Sequence, residues 1–408
     1  MKVLLVNKFN FLRGGSDKYF LDLASLLSAN GIEIAKFCMH HPNNLPDKYN
    51  KYWLDHINFG KFEWKSAWKY LARMFYSREA KDKFEKMIQD FQPDIIHLNN
   101  IYHQISPSIL DVAKKHNLPV IMHLHDYKLV CGNYKMFNNG QICEKCKGGK
   151  HFKCTTTTCF KKSFFKSFLV MIEMYLHHKV LKIYEKNVDM YIAPSEFMRK
   201  KMIDWGVPAE KINTLHHFID LKEFNPEYEL GDYLLYFGRL SEEKGIDYLL
   251  EAIKMSPDAK LKIVGAGPMS GFVKKRIEEL KISQRVELIG PKYNEELKNI
   301  LCKSYAVIVP SRWYEVFGLV SMEAGGLGKA VLGADIGGIP EVIKDKQTGI
   351  LFNPFLKEDL AMKISWAIDH PSEISAMGRA GRQFVAQEFD PGKHFNGLMS
   401  LYKKVSIL

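Results

Sequence analysis

Ala306-Val-Ile-Val-Pro310 is an apolar run, and Glu315-Val-Phe-Gly-Leu-Val-Ser-Met-Glu323 follows it five residues later. The run reads as a buried strand, and Phe317-Gly318 opens a helix expected over Leu319 to Gly328. Glu315 then stands on the loop at the carboxyl end of the strand. The amides at the helix start are left without carbonyl partners and can dock an anionic or hydroxyl-rich ligand. Glu323 sits about one turn into the helix and can reach the same ligand from its face. Sugar and ribose hydroxyls want carboxylate acceptors, which this pair supplies.

Upstream, the expected strand Tyr233–Phe237 leads into Gly238-Arg-Leu-Ser-Glu-Glu-Lys-Gly245. Arg239 and Lys244 flank a turn feeding a helix, a cradle for a pyrophosphate. Val264-Gly-Ala-Gly-Pro268 and Ile336-Gly-Gly-Ile-Pro-Glu341 are further turns of this kind. In the first half, Arg13-Gly14-Gly15-Ser16 and His125-Asp126-Tyr127 also follow expected strands. Short continuous apolar runs mark those strands, as parallel strands covered on both faces should be. They fall at 2–6, 32–38, 95–98, 120–125, 190–193 and 212–216, then at 233–237, 261–264, 286–289, 306–309 and 330–332. Helical periods fill the gaps, starting with Ser16–Asn30, for which Ser16 is the expected N-cap. An α/β chain of 408 residues is too long for one ordinary core. Two doubly wound domains are expected, joined near Phe218–Gly231, with ligands beyond the carboxyl ends of the strands.

Together these motifs resemble the retaining family-four glycosyltransferases of the GT-B fold, and the resemblance covers nearly the whole chain. It implies two Rossmann-like doubly wound domains facing across a cleft. Residues 1–217 would bind the acceptor and 218–390 the nucleotide sugar. The last helix, 391–408, would cross back to the first domain. The implied reaction moves a hexose-type unit from a nucleotide diphosphate sugar to a glycan or lipid-linked acceptor, with retention, in cell-surface polysaccharide synthesis. Arg239, Lys244, Glu315 and His125 are the catalytic candidates. Donor-binding candidates are Gly14, Gly15, Arg239, Lys244, Glu315, Val316, Phe317, Gly318, Leu319 and Glu323. Arg239 and Lys244 would neutralise the departing pyrophosphate, Glu323 would meet the ribose, and His125 would lie under the donor sugar. His123 is assigned to the opposite strand face and the core. Family chemistry implies no metal or other cofactor in catalysis and no dedicated protein base.

Leu215-His-His-Phe-Ile-Asp220 departs from the family, where an Asn-Gly commonly precedes the Ile-Asp. The alternatives are a sugar-nucleotide epimerase on the same fold and a non-catalytic nucleotide- or carbohydrate-binding protein. A dinucleotide oxidoreductase fits poorly, because Gly265-Ala-Gly-Pro lacks the third glycine and the downstream acid.

The net charge of +12 lies entirely in the first half. Residues 1–217 hold 33 Lys and Arg against 20 Asp and Glu, a net of +13; the rest hold 25 against 26. Such a surface suits an anionic membrane face or an anionic acceptor. Nucleic acid is not expected, since no recognition helix or zinc-finger spacing occurs. Basic aromatic stretches, Lys61–Tyr76 with Trp64, Trp68, Tyr70 and Phe75, and Phe160–Tyr184, read as core helices with a membrane-facing fringe. No apolar stretch reaches membrane-spanning length, so a cytoplasmic protein, peripheral at the inner face of the membrane, is expected.

Five of the seven cysteines crowd into an insertion at 131–159. Cys143-x2-Cys146 and Cys154-x4-Cys159 read either as a structural zinc knuckle or as a reduced, inert loop.

Overall fold

The computed structural model describes residues 1–57 and 67–406. The chain forms strands β1 (Lys2–Val6), β2 (Glu33–Phe37), β3 (Ile95–Leu98) and β4 (Val120–His123). A small hairpin, β5 (Phe137–Asn138) and β6 (Gln141–Ile142), precedes β7 (Met190–Ala193) and β8 (Ile212–Thr214). The second half supplies β9 (Leu234–Phe237), β10 (Leu261–Val264), β11 (Val286–Gly290), β12 (Ala306–Val309), β13 (Val331–Ala334) and β14 (Gly349–Phe352). Two six-stranded sheets result, ordered β2-β1-β3-β4-β7-β8 and β11-β10-β9-β12-β13-β14. Every pairing in them is parallel.

Burial on both faces explains the continuous apolar runs. In β1, Leu4 and Val6 face Ile96 and Phe84 on one side, while Val3 and Leu5 face Phe20 and Leu23 on the other. Leu398, Tyr402 and Val405, from the helix Pro391–Ser406, complete that second face. Tyr402 anchors it with its hydroxyl 2.7 Å from His97 Nδ1. Packing changes lobe within one peptide: Phe218 belongs to the first lobe's core and Ile219 to the second's.

Local readings differ in three places. The first helix runs Gly15–Ala29 and starts from Gly14, whose carbonyl accepts from the amides of Asp17 and Lys18. Ser16 therefore lies inside the helix and does not cap it. β14 was not expected: its four residues follow a polar turn and carry no alternation. The helix after Gly318 ends at Gly326. Of the Lys61–Tyr76 stretch, the first six residues, with Trp64, lie outside the described residues.

Candidate functional site: the cleft at the β9–β12 switch point

β9 and β12 are neighbours in the second sheet, and the chain leaves them toward opposite halves of it. Loops beyond the carboxyl ends of two such strands enclose a crevice. The β9 loop carries Arg239 and Lys244; the β12 loop carries Glu315. Lys244 Nζ lies 2.9 and 2.8 Å from the two carboxylate oxygens of Glu315. Ser311 Oγ and Trp313 Nε1 also donate to Glu315 Oε2, at 2.8 and 2.9 Å. Burial pushes this carboxyl upward, but the Lys244 charge and these hydrogen bonds outweigh it and hold the group below the usual carboxylate range. Glu315 is thus an anion in a preformed socket.

The Gly337 turn closes that socket from behind. A Cβ at Gly337, where φ is +64°, would stand 2.4 Å from both the amide nitrogen and the carbonyl oxygen of Glu315. The Gly338 amide donates to the same carbonyl at 2.7 Å.

Arg239 is exposed. Its charge is felt by Tyr134 of the first lobe, whose hydroxyl is pushed up by burial and drawn back by Arg239. Gly318, with φ +122°, starts the helix Leu319–Gly326. Glu323 lies in that helix with its carboxyl raised to about 7 by burial; Lys18 draws it down and Asp22 pushes it up, both from the first lobe's opening helix. Gly15 begins that helix, and a Cβ there would stand 2.6 Å from Leu319 Cδ1. Gly15 therefore meets the helix Leu319–Gly326 across the cleft, whereas a Cβ at Gly14 would meet nothing within 4 Å.

Val316 and Phe317 do more packing than their place in the motif suggests. Val316 is buried in the first lobe's core cluster, and its carbonyl accepts from Ser195 Oγ at 2.6 Å. Phe317 packs edge-on against His217 and Phe389. Sequence reasoning missed Ser195, and it quoted Glu341 only as the end of a turn motif, without a role between the lobes. The Glu341 carboxylate accepts from the amides of Glu196 and Phe197, both at 2.8 Å, at the start of helix Glu196–Asp204. His216 Nε2 stands 3.2 Å from it. These contacts lock the lobes together, and nothing in the local sequence around Glu341 announces a partner so distant in the chain.

His125 Nε2 lies 2.8 Å from Asn99 Oδ1. Burial pushes its pKa down to about 3, so it is a neutral hydrogen-bonding group. His123 is buried, but not on the opposite face. It stacks on His125 at 4.8 Å, because residues two apart return to the same side. His217 joins the stack with rings inclined by 14° and 7°. These three are the one group among the described residues whose metal-ligating atoms all lie within 4.8 Å. Near-parallel rings direct their lone pairs side by side and not at one point, so the stack is not a formed metal site.

The cysteine-rich insertion reaches across the cleft. Lys135 pairs with Glu243 at 3.0 Å, Arg312 Nη2 donates to the Gly140 carbonyl at 3.1 Å, and Tyr314 donates to Glu144 at 2.8 Å. Its partners Glu243, Arg312 and Tyr314 sit beside Lys244 and Glu315. Within the insertion, Cys143, Cys146, Cys154 and Cys159 are free thiols. Cys131, absent from the expected set, joins them: burial first, and neighbouring sulfurs to a smaller extent, push Cys131 and Cys146 up to about 12. Metal uptake would have to draw these sulfurs closer together.

The comparisons agree with this architecture. Residues 13–223 match the family model "Glycosyltransferase Family 4", and residues 218–384 match "Glycosyl transferases group 1". An uncharacterized 42.6 kDa protein in the cps region of Klebsiella pneumoniae is 26% identical over 88% of this chain and 91% of its own length. The alpha-D-kanosaminyltransferase of Streptomyces kanamyceticus is 26% identical over 53% of this chain and 59% of its own. Sucrose-phosphate synthase from Thermosynechococcus elongatus superposes with a TM-score of 0.73 at 19% identity, covering 99% of this chain and 98% of that one. Anabaena HepE, solved with UDP and glucose, superposes at 0.65 and 18% identity, covering 99% of each chain. Two facing parallel sheets make this a GT-B fold, and the two family matches together span nearly all of the sequence: the chain belongs to the group 1 glycosyltransferases.

Proposed function

We propose that the chain transfers a sugar from a nucleotide diphosphate sugar to a glycan or lipid-linked acceptor, with retention of anomeric configuration. The observation that carries this reading is the Lys244–Glu315 pair at the switch-point crevice, with Arg239 and an open helix start beside it. In the resting protein the pair satisfies itself. An arriving pyrophosphate would compete for Lys244, join Arg239, and leave the Glu315 carboxylate for the sugar hydroxyls. Two cations placed where negative charge develops stabilise the departing nucleoside diphosphate. Glu323 would accept from the ribose, and neutral His125 would contribute a hydrogen bond and no charge. The departing phosphate would take the acceptor proton.

HepE, solved with UDP-glucose, supports the donor class, and the cps-region relative supports a place in surface polysaccharide synthesis. The decisive experiment screens nucleotide diphosphates by thermal shift, then follows sugar transfer from the stabilising donor to polyprenyl-linked and free glycans. Release of nucleoside diphosphate that never depends on an acceptor would refute transfer.

A further inference from the structure

The helix Phe164–Tyr175 has two faces. Ser167, Val170, Glu173 and Met174 are turned inward. Val170 and Met174 pack with Met74, Cys146 and Cys154. Glu173, almost fully buried, is paired inside with Lys128 at 2.9 Å and lies 2.8 Å from His103 Nε2. The outer face is apolar: Phe164 is 65% exposed, Phe165 67% and Tyr175 59%, with Phe168 and Ile172 between them also open. Residues 164, 168, 172 and 175 fall on one helical stripe. Large aromatics lined up this way in water mark a contact surface and not a random fringe.

The charge along this stretch of chain is one-sided. From Lys145 to Tyr184 the sequence holds nine lysines and a single acid, Glu173, which is the buried one. Lys161, Lys162 and Lys166 border the stripe and are exposed. The flanking acids are engaged elsewhere: Glu144 with Lys201 and Tyr314, Glu185 with His178.

We infer that this face docks on an anionic lipid bilayer, the aromatics entering the interface and the lysines meeting the headgroups. Twelve residues make a helix of about 18 Å, short of the roughly 30 Å hydrocarbon core, so it lies on the membrane. No helix among the described residues is long and apolar enough to cross one. A second copy of the chain is disfavoured as occupant, because it would set one lysine cluster against another. The docking needs neither donor nor acceptor, so its failure and the failure of the proposed transfer are separable.

The test is cosedimentation of the full chain with phosphatidylcholine vesicles, with and without phosphatidylglycerol, at low and moderate salt. Binding is expected only with phosphatidylglycerol and should weaken with salt. Lys161→Ala/Lys162→Ala/Lys166→Ala should weaken it on the order of a hundredfold, about fivefold per lysine. Phe164→Ser/Phe165→Ser/Phe168→Ser should weaken it roughly tenfold or more. Thermal midpoint and circular dichroism check that both variants fold, as exposed substitutions should. Equal binding to both lipids, no binding, or a wild-type dimer that the Phe variant dissociates without any change in vesicle binding would each overturn the inference.

Discussion

Tyr314, the residue before Glu315, donates a 2.8 Å hydrogen bond to Glu144 of the cysteine-rich insertion. The carboxylate loop of the second lobe is thereby held by a segment of the first. Tyr314→Phe removes one hydrogen bond, worth about 1 kcal/mol. The thermal midpoint is expected to move little, while donor KM rises about three- to tenfold as the Glu315 loop loosens. Steady-state kinetics on the variant decide it; an unchanged KM would show that the loop holds itself.

Lys244→Ala is expected to lower turnover by about a hundredfold or more, since one charge-stabilising donor commonly supplies about 2–4 kcal/mol. It should also cost stability, because Glu315 is left buried without its cation. Lys244→Ala/Glu315→Gln should restore the thermal midpoint but not the rate. Recovery of both, or neither loss in the single variant, counts against the assignment.

Glu323 gives a pH signature. Its folded pKa, raised by burial to about 7, lies above the unfolded value near 4.3. Between these values the folded state holds the proton more tightly, so stability falls as pH rises through this window. Glu323→Gln should therefore be more stable than the parent at pH 8 and nearly equal to it at pH 4. It should also bind nucleoside diphosphate more weakly, having lost the acceptor carboxylate. Parallel melting curves at the two pH values test the sign.

Glu341→Gln probes the lock between lobes. A carboxylate on the first amides of a helix is worth about 1 kcal/mol. Burial pushes Glu341 up, but His216 and the two amides draw it below its ordinary value. Its contribution is present above about pH 4.3 and fades as the group protonates. The variant should melt lower at neutral pH, with the gap narrowing in acid; solution scattering should show a larger radius of gyration. A gap independent of pH would assign the effect to packing.

We propose that the insertion takes up roughly one equivalent of zinc through its cysteines, Cys131 included. Elemental analysis of protein purified without chelator tests it, and Cys143→Ser should lose the metal. Metal-free protein with a normal melting curve would leave burial and the contacts to Glu243, Arg312 and Tyr314 as what holds this loop.

Much of the fold was legible because parallel strands buried on both faces announce themselves as short apolar runs. The meeting of Lys244 and Glu315 was legible because each follows such a run by a few residues. Ser195, His216 and Glu341 were not, since they meet across lobes from positions with no shared period. His123 was misplaced by assigning neighbours two apart to opposite faces of a strand. Val316 read as a ligand contact from its motif, yet its side chain fills the other lobe's core.

The return of the final helix also sets an order of events during synthesis. Leu398, Tyr402 and Val405 belong to the same core as Val3 and Leu5. The lobe made first therefore emerges from the ribosome with one sheet face only partly covered, by its first helix. It stays so while the whole second lobe, whose core is nearly self-contained, is made and can fold. A nascent chain stalled shortly before Pro391 should hold a protected second lobe and a protease-sensitive first one. Truncating the last turns should then damage the domain farthest away in sequence.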